Sequence, residues 1–201
     1  MSSREIREPK QQRSIEKRKK IIDAGFKLFC EKGYHATNTV EIAKLAGVST
    51  GIVYNYFVDK KDIFIAALDA CYNSMLNPVL ESLVTIEKPI DVSAQLRKII
   101  KMLNESHTAI NSAYEELEAM ASMDKDIREF YCQCKQKMVT SFLKILEVND
   151  ITPTHPYEKL YITINIVENL CHEMVYHQHE YINYEVMTEE AIKVIVDMLS
   201  S

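Results

Sequence analysis

Residues 46–60 read AGVSTGIVYNYFVDK. Ala46 and Gly47 lead into Val48 and two small hydroxyl residues, then a second glycine, and Tyr54, Asn55 and Tyr56 follow before the stretch closes on Lys60. The pattern is helical, yet Gly51 lowers helix propensity and Tyr54, Asn55 and Tyr56 are poor helix formers. Residues of this kind suit a short helix whose backbone something else must approach closely and whose outer face must make polar contacts.

The neighbouring sequence gives that helix a setting. In NTVEIAKLAG (38–47), Asn38 with Glu41 three residues on forms a capping box, and Gly47 ends the helix after about two turns. Val40, Ile42, Ala43 and Ala46 are expected to face inward. Ser49 caps the next helix, whose inward residues are Val53 and Phe57. Upstream, from about Gln12 to Lys32, Ile21, Gly25, Leu28 and Phe29 fall on one helical face, and Gly33 is placed to end that helix in a left-handed conformation. Two short helices joined by a tight glycine turn and braced by a third form a helix-turn-helix.

In such a unit the second helix enters the DNA major groove, its first residues against base edges. Ser49, Thr50 and Gly51 let the backbone come close, and Thr50 offers a hydroxyl or a methyl group to a base. Tyr54, Asn55 and Tyr56 lie on the outer side, within reach of bases or phosphates, and the Lys60 ammonium is placed to pair with a phosphate. Any one of these residues is as simply read as an exposed side chain on a packed helix; together, on a basic segment, they point to DNA. Residues 1–60 hold 12 Lys and Arg against 7 Asp and Glu, whereas residues 61–201 hold 12 against 22. A basic front on an acidic body fits a chain whose front alone approaches a polyanion.

At this point the chain resembles the TetR-type transcriptional repressors. The matching text is IIDAGFKLFCEKGYHATNTVEIAKLAGVSTGIVYNYFVDKKDIFIAAL, residues 21–68. The resemblance implies a homodimer on palindromic operator DNA, with a C-terminal body that binds a small effector and releases the DNA. It places Thr39, Tyr54, Tyr56 and Lys60 at phosphates, and Val40, Thr50, Gly51, Ile52 and Asn55 near bases. Val40 and Ile52 are apolar where some relatives carry polar readers, so direct readout would lean on Thr50, Asn55 and DNA shape. The expected fold is all-α: a helix-turn-helix domain with a basic N-terminal arm over 1–58, and an effector-binding and dimerising helical bundle over 59–201.

Within the body, Asp59 and Asp62 cap a long helix from about Lys60, with an inward stripe of Phe64, Ala67, Leu68, Cys71 and Met75 and with Pro78 expected to kink or end it. This helix is expected to be the only covalent link between the two functions. Further helices follow over 89–106, 107–122 and 124–148, and a last one begins near Thr188. The helix over 156–179 is apolar nearly all round, which suits either a subunit contact or a central core position. The resemblance implies that the last two helices form a four-helix dimer contact, assigned here to Ile162, Ile166, Leu170, Ile192, Ile195 and Leu199. Candidate effector residues are Cys71, Met75, Met102, Tyr114, Tyr131, Cys134 and Met138, joined by Tyr161, Asn165, Glu168 and His172. Methionine adapts to irregular apolar shapes, which favours a lipophilic effector, although Met stripes also serve simply as core.

Other classes fit less well. CHEMVYHQHE (171–180) looks like the zinc-protease pattern, but His177 stands five residues after His172, about 140° around a helix rather than one turn up the same face. No catalytic residue, metal or cofactor is therefore expected. The five cysteines show no CxxC spacing and are expected as reduced thiols. Apolar runs are short and the start of the chain lacks a signal-peptide core, so the expectation is a cytoplasmic protein with no membrane partner.

Overall fold

The computed structural model describes residues 12–84, 88, 90–107, 119–177 and 179–201. Among these the regular elements are helices: α1 Gln12–Ala36, α2 Thr39–Ala46, α3 Thr50–Val53, α4 Lys60–Val84, α5 Val92–His107, α6 Lys125–Val148, α7 Pro156–Tyr176 and α8 Tyr184–Ser200. The all-α expectation holds. Of the described residues, those up to 73 and those from 119 to 131 form one compact unit, and those of 74–107 and 132–201 form the other. Packing thus draws its boundary inside α4 rather than after residue 58. The reason is that Ile63, Phe64, Ala67 and Leu68 on the first turns of α4 are buried in the same core as Phe29. Nor is α4 the only link, since α6 also contributes to both units.

In the first unit, Ile21, Phe29, Ile42, Val53, Ile63, Phe64 and Ile127 are almost wholly buried. Phe64 meets Phe29 edge-on at 5.1 Å between ring centroids and Tyr34 at 4.9 Å. Gly25 sits where α1 and α4 approach: a Cβ there would stand 2.7 Å from Ile63 Cγ2. Gly33 interrupts α1 at φ 82°, ψ 165°, a positive φ as expected but with extended rather than helical ψ. The Lys61 ammonium pairs with Asp124 at 3.2 Å and with Asp126.

In the second unit α5, α7 and α8 pack on one another. Val79, Leu83, Ile99 and Ile145 form a cluster against which Leu80, Met102, Leu103 and Phe142 pack. Arg97 on α5 forks onto both carboxylate oxygens of Glu189 on α8, at 2.7 and 2.6 Å. Pro78 neither ends nor breaks α4, which runs to Val84. Burial of Leu76, Val79 and Leu83 around it offsets the loss: each contributes about 1.5–3 kcal/mol, against about 3 for a helical proline. The last helix starts at Tyr184 rather than Thr188, because the Asn183 side chain accepts from the Glu185 and Val186 amides, both at 3.1 Å.

By length and composition α4 is apolar enough to cross a membrane, although no single apolar run within it is long. Its apolar residues serve packing in both units. The cysteines are all thiols, and Cys132 is exposed. Burial pushes the Cys71 thiol up to about 11, with Cys30 adding to the shift.

Candidate nucleic-acid interface

The capping signals of the helix-turn-helix are realised as hydrogen bonds. Asn38 Oδ1 accepts from the amides of Val40 and Glu41 at 3.1 and 3.0 Å, and the Glu41 carboxylate accepts from the Asn38 amide at 3.3 Å. Lys32 joins Glu41 at 2.6 Å, and its hydrogen bond is the main reason the Glu41 carboxyl is held below its ordinary value. Gly47 closes α2 in the left-handed region at φ 68°, ψ 32°, and the Val48 amide reaches back to the Ala43 carbonyl. Ser49 Oγ accepts from the Ile52 amide. Val53 and Phe57 are buried, as their spacing requires, and the Arg18 guanidinium lies 5.2 Å from the centre of the Phe57 ring.

What faces outward is then set. Val40 is 62% exposed, which corrects the expectation that it points inward: position 40 follows the cap and turns away from Ile42 and Ala43, which hold the core face. Gly51, Tyr54 and Asn55 are exposed, and Thr39, Thr50, Ile52 and Tyr56 are half-buried. An added Cβ on Gly51 would meet nothing closer than Ser49 Oγ at 3.9 Å, so the fold itself does not need glycine there.

Two hydroxyl pairs fix the tyrosines. Tyr54 Oη lies 3.1 Å from Thr39 Oγ1, and Tyr56 Oη lies 2.9 Å from Ser14 Oγ. Each hydroxyl carries one proton, so within a pair one proton bridges and the other remains to donate outward. Lys60 behaves differently from the expectation of a plain phosphate contact. Its Nζ donates to the Tyr34 carbonyl at 2.6 Å and the Thr37 carbonyl at 2.8 Å, over the Tyr34 ring at 4.1 Å. Thr37 is itself buried and donates to the Gly33 carbonyl at 2.7 Å. Lys60 and Thr37 thus hold the corner from which α2 departs. These partners are 23 and 26 residues from Lys60 along the chain, beyond any local signal.

The described candidate effector residues are divided between the two units. Cys71 and Tyr131 belong to the first unit, while Met75, Met102, Cys134, Met138, Tyr161, Asn165, Glu168 and His172 belong to the second. Tyr114 lies outside the described residues. Cys134 and Met138 are buried, whereas Tyr161 is 50% exposed. Asn165 and Glu168 both meet Lys135, a buried ammonium that sequence reading passed over. Its signal was a lysine set within the apolar stripe of Tyr131, Cys134, Met138 and Phe142. A cavity of about 540 Å³ in the second unit is lined by residues that include Lys88, Ile90, Val92, Ile151, Val196 and Leu199, and none of the described candidate effector residues is among them.

The dimer assignment changes as well. Leu170, Ile192, Ile195 and Leu199 are buried within the chain itself and build the packing of α7 and α8. Ile166 is half-buried, and Ile162 is 47% exposed. The outward apolar side chains of these helices are Tyr157, Tyr161, Ile162, Val186 and Val194.

Comparison with known proteins agrees with this geometry. Residues 21–67 match the family of bacterial regulatory proteins described as the tetR family. The HTH-type transcriptional regulator HbdR of Aromatoleum sp. (strain CIB) is 37% identical over 76 residues, which cover 38% of this chain and only 33% of HbdR. IcaR of Staphylococcus aureus (strain Newman), the HTH-type negative transcriptional regulator of the biofilm operon icaADBC, is 26% identical over 133 residues, 59% of this chain and 72% of IcaR. The solved structure of a Mesorhizobium loti MAFF303099 protein classed with the TetR-family regulators has a TM-score of 0.71 at 18% identity, covering 94% of this chain and 98% of that one. At that identity the likeness is one of fold. These relatives are regulators of transcription rather than enzymes.

Proposed function

We propose, for a chain that belongs to the tetR family of bacterial regulatory proteins by its helix-turn-helix domain, that it is a dimeric repressor in the cytoplasm which leaves a palindromic operator when a small effector binds. The observation that carries the reading is Gly51. A glycine in a helix costs roughly 1 kcal/mol relative to alanine, and nothing in the surrounding protein needs the missing Cβ. Close approach of α3 to a groove explains it. Thr50 and Asn55 then read base edges, with Val40 and Ile52 against apolar base surface. The one proton left over in each pair donates to a phosphate, from Tyr54 or Thr39 in the first pair and from Tyr56 or Ser14 in the second. Lys60 and Ser49 act by holding the corner and the start of α3.

The dimer contact is assigned to the outward faces of α7 and α8, through Tyr157, Tyr161, Ile162 and Val194. Two half-sites about one DNA turn apart, ~34 Å, then meet two copies of α3. The effector is assigned to the second unit, near Asn104. Its amide donates to Met174 Sδ at 3.3 Å while its Oδ1 is buried without a partner. An apolar molecule carrying one hydrogen-bond donor suits that setting.

The deciding experiment is selection of bound duplexes from a random pool, followed by footprinting. A palindrome with half-sites about one turn apart, released by an apolar compound that also raises the melting temperature, is the expected result. Enrichment of no sequence at low salt would defeat the reading.

A further inference from the structure

We propose that the C-terminal end of α7 binds one divalent transition-metal ion of the zinc class, through His172, Glu173, His177 and His179. Ligand atoms of His172, Glu173 and His177 lie within 4.8 Å of one another. Ligands about 2.1 Å from a tetrahedral ion stand roughly 3.4 Å apart, so small side-chain rotations close the set. Glu173 stands between two imidazoles: one carboxylate oxygen is 4.0 Å from His177 Nε2 and the other 3.7 Å from His179 Nε2. The His172 and His177 rings lie 5.3 Å apart, and those of His177 and His179 lie 6.0 Å apart, within 8° of parallel.

The fold brings together what helical spacing alone keeps apart. On a continuing helix His172 and His177 diverge by about 140°. Here α7 ends at Tyr176, and His177 takes φ −105°, ψ −29° as its C-cap. His179 stands beside Glu173, and its amide donates to Tyr184 Oη at 2.9 Å.

The donor set selects the ion. Three imidazoles and one carboxylate fill a tetrahedral shell without thiolate, which suits zinc and its imidazole-seeking neighbours and disfavours calcium or magnesium. The end of a helix also carries partial negative charge, which favours a cation there. The site belongs to the second unit.

The test uses the full chain without a histidine tag, stripped of metal and titrated with zinc against a chromogenic chelator. The expected result is one zinc per chain, with His172→Ala and His177→Ala each weakening binding roughly tenfold or more while the helical circular-dichroism spectrum is unchanged. His177 is exposed at a helix end, so its replacement leaves the fold intact and keeps the test decisive. Cobalt in place of zinc should give tetrahedral visible bands without a thiolate charge-transfer band. Absence of stoichiometric binding, parent-like affinity in both variants, or a thiolate band would each overturn the site.

Discussion

Two glycines on the first unit have opposite reasons for being there, and one substitution at each separates fold from function. At Gly25 a Cβ would press on Ile63 Cγ2 at 2.7 Å, a branched methyl fixed in the core. Gly25→Ala should therefore destabilise the chain by about 1–3 kcal/mol in denaturant titrations. At Gly51 the space is open, so Gly51→Ala should raise stability by up to ~1 kcal/mol and yet weaken operator binding. A variant that gains stability and binds DNA as well as the parent would remove the argument that α3 approaches a groove. Lys60 is a third case. Because its ammonium serves the Tyr34 and Thr37 carbonyls, Lys60→Met should cost about 1–3 kcal/mol and lower DNA affinity with little change in salt dependence. A salt slope smaller by about one would instead give the ammonium a phosphate of its own.

At the scale of the element, α6 and α7 are joined by a charge that has no solvent to fall back on. The Lys135 side chain is 4% exposed and pairs with Glu168. Glu168→Ala should cost about 3–5 kcal/mol by leaving the ammonium without its carboxylate, whereas Lys135→Met with Glu168→Leu should recover most of that loss. Thermal unfolding of the single and double variants measures the difference. The same pair shows where sequence reading stops. Caps such as Asn38 with Glu41, or Gly47 after α2, involve residues a few positions apart, so they were legible. Asn183 is equally local, but the apolar stripe begins only after it, so periodicity alone starts the last helix late. Lys135 with Glu168, and Lys60 with Thr37, join residues brought together only by tertiary packing, and nothing in their local sequence names the partner. The direction of Val40 is not legible for a related reason: two turns of helix carry too few apolar positions to fix the core face by periodicity.

At the scale of the whole molecule, the exposed apolar residues of α7 and α8 distinguish assembly from folding. Tyr161→Glu combined with Ile162→Glu should give folded monomers by light scattering, with loss of specific operator binding because one half-site offers too few contacts. Leu170→Glu should instead unfold the chain, because that side chain is buried within a single copy. A double variant that stays dimeric would move the contact to another face.

The reading helix α3 is a single turn, Thr50–Val53. A lone turn has too few residues to hold itself in water, since nucleation alone is unfavourable. Its order is borrowed from Val53 and Phe57, which are sunk in the core shared with α1 and α4. Amide hydrogens of this turn that are bonded to the Ser49 and Thr50 carbonyls should accordingly exchange with deuterium only when that core opens. On the proposed function, the sensor of DNA sequence thus has no melting transition of its own, and each loosening of the core would leave the protein blind to its operator.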